Sequence, residues 1–195
     1  MSGTHLNREE IQRRFDRLDD EYGVEYQEDE MVTVDPEKFP EEIEMSRDGY
    51  IGSSYIWIVR RPEDAAPLTP SMPDEAGNDR DRVLMILGRG GDAWGIPGGG
   101  QESEETFEES ALREVREETS VECRITGLYG VRYERRTSPE HDEVLHNLRV
   151  VFEGRYEDGH IAIQPGELDG AAWLARRPRQ VHPLAAPIAE EWFGR

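Results

Sequence analysis

The chain has 195 residues, a formal net charge of −20 and a single cysteine, which fits one ordinary domain with an extension. It contains no apolar run near the ~18 residues of a membrane span and no charged-then-apolar leader, so a cytoplasmic protein is expected. The lone Cys123 excludes an internal disulfide, and the lack of a basic stripe argues against long nucleic acid as a partner.

Residues 1–48 hold 16 acids and 6 bases and read as an acidic N-terminal extension ahead of a domain over 49–195. Within it, Asn7 to about Tyr22 is expected to be helical. Asn7 stands at the cap, Glu10 at the capping-box position, and Ile11, Phe15, Leu18 and Tyr22 form a stripe at helical spacing. That stripe is expected to pack on the main domain or on a second subunit, the latter giving a homodimer. Met31 to Val34 reads as a short strand, and Asp35-Pro36 and Phe39-Pro40 are expected to interrupt regular structure after it.

Ser54 to Val59 reads as the first strand of the main domain. Residues 62–81, with Pro67, Pro70, Pro73, Gly77 and Asn78, predict a flexible solvated loop. Arg82 to Leu87 follows as a buried strand, and Trp94 to Ile96 as a short one leading into a turn at Pro97 to Gly100. Beyond Val121, two long strands are expected at Glu122 to Tyr133 and Leu145 to Tyr156, joined by a polar loop from Glu134 to His146. Short strands at Ile161 to Ile163 and Ala171 to Leu174 and a helix at Ala185 to Phe193 complete the pattern. The expected class is α+β, an α/β sandwich with a mixed sheet.

Between the glycine turn and the two long strands lies the most informative segment, Gly99 to Val121, GGQESEETFEESALREVREETSV. Ser103 is placed to cap a helix running to about Thr119, with Phe107, Ala111, Leu112 and Val115 on one apolar arc. Glu114, Glu117 and Glu118 stand at i, i+3 and i+4, so their carboxylates share a face. Like charges that close repel unless cations sit between them, and oxygen-only ligands suit Mg²⁺ or Mn²⁺. A glutamate triplet in so acidic a chain is most often a solvated face. Its register with a glycine turn, Glu105 and Arg113 is what favours metal.

Written as G-x5-E-x7-R-E-U-x-E-E-x-x-U, with U aliphatic, the segment resembles the signature box of the Nudix hydrolases, which cleave diphosphates attached to another group. The resemblance covers about residues 50–195 and implies a mixed sheet between helices. It implies that Glu114, Glu117 and Glu118 hold metal, that Gly99 belongs to the loop, and that Glu105 and Arg113 form an ion pair bracing loop against helix. One position departs from the pattern: Ser120 stands where the family usually has Gly, which would let the helix exit through a left-handed residue.

The implied reaction is metal-assisted hydrolysis of a P–O–P linkage, with Glu114 and Glu118 catalytic and Glu143 a further catalytic candidate. The general base is divided between Glu143 and Glu114, because family members use either a box glutamate or an acid on a later loop. Arg132 and Arg135 are candidates for substrate phosphate, though arginines at a strand end equally often pair with surface acids. A small nucleotide-type diphosphate is the expected substrate: ADP-ribose, a nucleotide sugar or a nucleoside triphosphate. Two other readings stay open. A non-catalytic ligand sensor on the same fold would normally have a degraded box, and the family's isomerase branch would need a cysteine nucleophile, for which only Cys123 is available. The composition, 22 Arg to the single Lys38, resembles that of salt-adapted proteins of halophilic archaea, whose charge maintains solubility in high salt.

Overall fold

The first elements in chain order are β1 (Thr4–His5), α1 (Arg8–Tyr22), β2 (Gln27–Thr33), α2 (Phe39–Arg47) and β3 (Gly52–Arg60). A 3-10 turn at Pro62–Asp64 precedes β4 (Arg82–Gly88), β5 (Trp94–Gly95), β6 (Gly98–Gly100) and α3 (Phe107–Thr119). The chain then forms β7 (Val121–Thr137), β8 (Glu143–Gly159), β9 (Leu168–Leu174) and α4 (Ala186–Phe193). The structure, a computed structural model, describes residues 3–24, 26–65, 79–102 and 104–194. The flexible loop expected over 62–81 therefore lies largely outside the described residues, as does Ser103. Strand pairing is mixed, parallel for β1–β8 and β2–β7 and antiparallel where β4 meets β3, β5 and β9. The class is α+β, as expected. Among the described residues no helix is long and apolar enough to cross a membrane.

The chain divides into two units, the first made of Met1–Tyr55, Gly99–Ala111 and Gly127–Phe152. In it α1 buries Ile11 and Leu18 completely, so the stripe packs within the chain. Arg17 fixes the helix by a two-pronged bond to Glu108 at 2.9 and 2.7 Å, and Tyr22 meets Phe152 edge-on. Asn7 does not cap the helix with its side chain. Its amide instead donates to His146 O and accepts from His146 N, at 2.8 and 3.0 Å, tying the helix start to β8. A helix also forms where the prolines were expected to break structure. Pro40 sits in the first turn of α2, where its missing N–H is harmless, and Phe39 and Ile43 pack with Val34 and Leu145.

Parallel pairing extends β2 from Gln27 and holds β7 as far as Thr137, and β8 starts at Glu143. The polar loop expected over 134–146 thus shrinks to 138–142. The cause is non-local: β2 supplies a hydrogen-bonding edge about a hundred residues upstream that no local pattern announces. Close approach sets one glycine. A side chain at Gly52, which has φ 143, would run into Leu148 O where β3 passes β8.

The second unit takes Ile56–Gly98, Leu112–Thr126 and Glu153–Arg195. Its centre is β4, where Val83, Leu84 and Met85 are fully buried, as the apolar run implies. Trp57 packs edge-on against Trp192 and Phe193 of α4, and Arg60 lies over the Trp173 ring at 4.5 Å. The expected strand at Ile161 to Ile163 is absent. Ala162 N donates to Thr119 O and Gln164 N to Glu118 O, at 2.9 and 3.1 Å, so this segment satisfies carbonyls left open at the end of α3.

Candidate active site

Helix α3 begins at Phe107, later than a cap at Ser103 would require. Thr106 caps it: Glu109 N donates to Thr106 Oγ1 at 3.1 Å, and Thr106 N donates back to Glu109 Oε2 at 2.9 Å. This is a reciprocal capping box. Phe107, Ala111 and Val115 are buried as expected, whereas Leu112 is only partly covered. Helical spacing of 100° per residue puts Glu114 and Glu118 on the same side as Phe107 and Ala111, with Glu117 turned outward.

The two inner carboxylates differ from the outer one. Glu118 is 8 % exposed, and its Oε2 accepts a hydrogen bond from Gly98 N at 2.9 Å. Burial pushes its pKa up to about 7, against the opposing effect of the Gly98 bond and with help from Glu114 and Glu167. Glu114 is also raised, first by burial and then by Glu117 and Glu167, while Arg113 opposes. Arg113 Nη1 donates to Glu114 Oε1 at 2.9 Å and to Glu117 Oε2 at 3.1 Å. Gly98 has φ 143, a conformation that suits glycine and aims its N–H at Glu118. The expected glycine turn is a short strand, β6, paired with β3.

Glu167 was not anticipated. It precedes β9, its backbone carbonyl accepts from Arg89 N at 2.8 Å, and its charge bears on both Glu114 and Glu118. The Pro165-Gly166 turn before it marks a bend, but nothing local says that this bend faces α3. The donor set suits a hard divalent cation: oxygen ligands alone, raised first by burial and further by acidic neighbours, and relieved by added positive charge. Among the described residues no three His, Cys, Asp or Glu side chains are grouped so as to hold a metal ion. The fit is one of donor chemistry and not of preset geometry.

The remaining candidates fall in both units. Glu105 belongs to the first unit and Arg113 to the second; Glu105 Oε2 accepts from Glu102 N at 3.0 Å. Gly99 lies within β6. Glu143 is in the first unit as the opening residue of β8, paired in register with Thr4 and 4.0 Å from His141 Nδ1; it does not lie on a loop. Arg132 Nε donates to Glu28 at 2.8 Å and Arg132 Nη1 lies 3.5 Å from Glu30. Arg135 lines a cleft beside α1. Burial pushes the Cys123 thiol up to about 12, which leaves it without nucleophilic thiolate at neutral pH.

Residues 76–191 match the NUDIX domain family. A human protein, diphosphoinositol polyphosphate phosphohydrolase 3-alpha, is 39 % identical over 71 residues, which are 36 % of this chain and 43 % of the relative. The match thus spans less than half the length of that relative. Among solved structures, a UDP-X diphosphatase shares 18 % identity at a TM-score of 0.47, over 83 % of this chain and 72 % of that one. A MutT NUDIX hydrolase from Burkholderia pseudomallei shares 19 % at 0.45, over 71 % and 96 %. An ADP-ribose pyrophosphatase from Streptococcus suis 89-1591 shares 12 % at 0.43, over 72 % and 84 %.

Proposed function

The chain belongs to the NUDIX domain family, and from that premise we propose that it is a metal-dependent hydrolase of a nucleoside diphosphate linked to another group. The substrate classes are ADP-ribose, a nucleotide sugar or a nucleoside triphosphate. The observation that carries the reading is the half-buried and buried pair Glu114 and Glu118 on the inner side of α3, with Gly98 N bonded to Glu118 at 2.9 Å and both carboxyls raised by burial and by acidic neighbours.

Glu114, Glu117 and Glu118 are the proposed holders of Mg²⁺ or Mn²⁺. Such an ion, when bound, neutralises diphosphate oxygens and lowers the pKa of a water. The protein's part is positional. Gly98 N fixes one oxygen of Glu118 and leaves the other for ligation. Gly99 is the structural glycine of the loop, and Glu105 and Arg113 brace loop and helix. The water's proton is taken by Glu114 or Glu143, and their glutamine variants separate the two by which one flattens the pH–rate profile.

The test is turnover on a panel of ADP-ribose, UDP-glucose and nucleoside triphosphates with Mg²⁺ or Mn²⁺ at molar KCl. Glu118→Gln removes charge with little change of shape and is expected to lose on the order of a hundredfold or more in rate, with folding intact by circular dichroism. Full activity in that variant would reject the metal assignment. No turnover on any compound, with tight binding of one, would establish a ligand sensor instead.

A further inference from the structure

Strand β7 presents different chemistry on its two faces. Residues alternate across a strand, and Glu134 and Arg136 point to a pocket shared with Arg149, where Arg136 is locked to Glu42 and Glu134. Tyr133 and Arg135 point the other way, into a cleft of about 390 Å³ beside α1. His146 of β8 lines this second cleft, with His5, Arg8 and Gln12 from the N-terminal segment. All of these residues lie in the first unit.

Two features set the cleft apart from the rest of the surface. Acids outnumber bases 43 to 23 in this chain, and arginines such as Arg14, Arg17, Arg132, Arg136, Arg149 and Arg155 are each bonded to a carboxylate. Among the described residues, the guanidiniums of Arg8 and Arg135 make neither an ion pair nor a hydrogen bond, yet both act on His146 and on Tyr133. One acid, Asp29, lines the same cleft. The second feature is a chain of hydrogen bonds: Tyr133 Oη to His146 Nδ1 at 2.8 Å, and His146 Nε2 to His5 Nδ1 at 2.8 Å.

The direction of that chain does not alter its outcome. If Tyr133 donates, His146 donates onward to His5 Nδ1, and neutral His5 ends with a free Nε2–H. If His5 donates, His146 donates to Tyr133, whose own O–H is left over. Either way one end offers an unused donor. Two unpaired guanidiniums add planar forks matched to a tetrahedral oxyanion.

We propose that this cleft is a binding site for a phosphate monoester dianion, with Arg8 and Arg135 as its charged ligands and the Tyr133–His146–His5 chain supplying a further donor. The source is either inorganic phosphate or the phosphoryl group of a small phosphorylated molecule. The proposal does not depend on hydrolase activity.

The test is calorimetric titration of the full chain with inorganic phosphate and with AMP, in EDTA and at constant ionic strength. Chelation keeps both probes off the glutamates of α3, which repel anions when no cation is present. The expected result is one saturable site per chain. Arg135→Gln and Arg8→Gln each weaken it at least tenfold, while Arg47→Gln, which removes an arginine bonded to Glu44, stays within twofold. All four proteins are compared by melting temperature, and because the Arg8 and Arg135 guanidiniums are unpaired among the described residues, little change is expected for those two. AMP binding tighter than phosphate by tenfold identifies a phosphorylated small molecule, and equal affinity identifies phosphate itself. Absence of saturable binding by the unaltered chain, or unchanged affinity in Arg135→Gln, overturns the proposal.

Discussion

Ser120 holds a left-handed backbone, φ 58, a conformation that elsewhere among the described residues is left to glycines. It follows Thr119, the last residue of α3, and its N–H closes on Arg116 O at 2.9 Å while its Oγ donates to Ala162 O at 3.3 Å. A non-glycine residue there is strained by about 1 kcal/mol, offset in part by the Ala162 bond. Ser120→Gly is therefore expected to raise stability by up to about 1 kcal/mol, and Ser120→Val to lower it by more, because a β-branched side chain crowds this conformation. Melting curves of the two variants check the sign. His146 offers a second test. It is 1 % exposed, and burial, with His5 of β1, Arg8 of α1 and Arg135 of β7 adding positive charge, holds its pKa down at about 4 against an ordinary 6.5; Tyr133 of β7 is its other partner. Between those values the unfolded chain binds a proton that the folded chain refuses, so stability falls as pH drops from about 6.5 towards 4 and this contribution is flat above neutrality. The full effect is at most about 3 kcal/mol. The slope of melting temperature against pH from 7 to 5 should be shallower in His146→Gln, and an equal slope would remove His146 as its source.

Among the elements, helices α1, α3 and α4 and the buried strands could be read from local pattern, whereas α2 and the partner-dependent features could not. Helix α3 carries its own apolar arc and its own acids, so the burial of Phe107, Ala111 and Val115 was legible from spacing. Its start was misplaced because serine and threonine both suit a cap, and only the bonds between Thr106 and Glu109 decide between them. Thr106→Ala is expected to lower stability by about 1 kcal/mol, with Thr106→Asp restoring most of it; equal melting of Thr106→Ala and the unaltered chain would place the cap elsewhere. Strands β7 and β8 were each read short. Polar residues such as Glu134 and Arg136 look like loop until the facing strand and α2 supply their partners. Glu167 escaped for the same reason. It is distant in sequence from α3, and the β4–β9 pairing, not any motif, fixes the strand that follows it. Helix α1 shows the converse, since its amphipathic stripe announced burial without saying against what. Leu18→Ala, at a fully buried position, is expected to destabilise by about 2–5 kcal/mol.

For the whole molecule the governing quantity is the net charge of −20. Two salt effects oppose each other. Added salt weakens exposed ion pairs such as Arg47–Glu44 and Arg124–Glu157, each worth roughly 0–1 kcal/mol. It also screens repulsion among the excess acids, which grows with the square of the net charge and acts on the folded chain more than on the expanded one. At 1 M salt the screening length is about 3 Å, shorter than most separations between surface carboxylates but comparable to the contact distances within bonded pairs. Repulsion is therefore screened first and most completely. Pairs with a buried partner, such as Arg149–Glu134 at 2.6 Å with the Glu134 side chain 3 % exposed, are the least affected. The melting temperature is accordingly expected to rise as KCl is increased through the molar range, with most of the gain in the first molar. A flat response would mean that repulsion and ion pairing balance and would reject salt adaptation as the reason for the composition. A falling response would mean that the arginine–carboxylate pairs, not the excess charge, dominate the electrostatics of the fold.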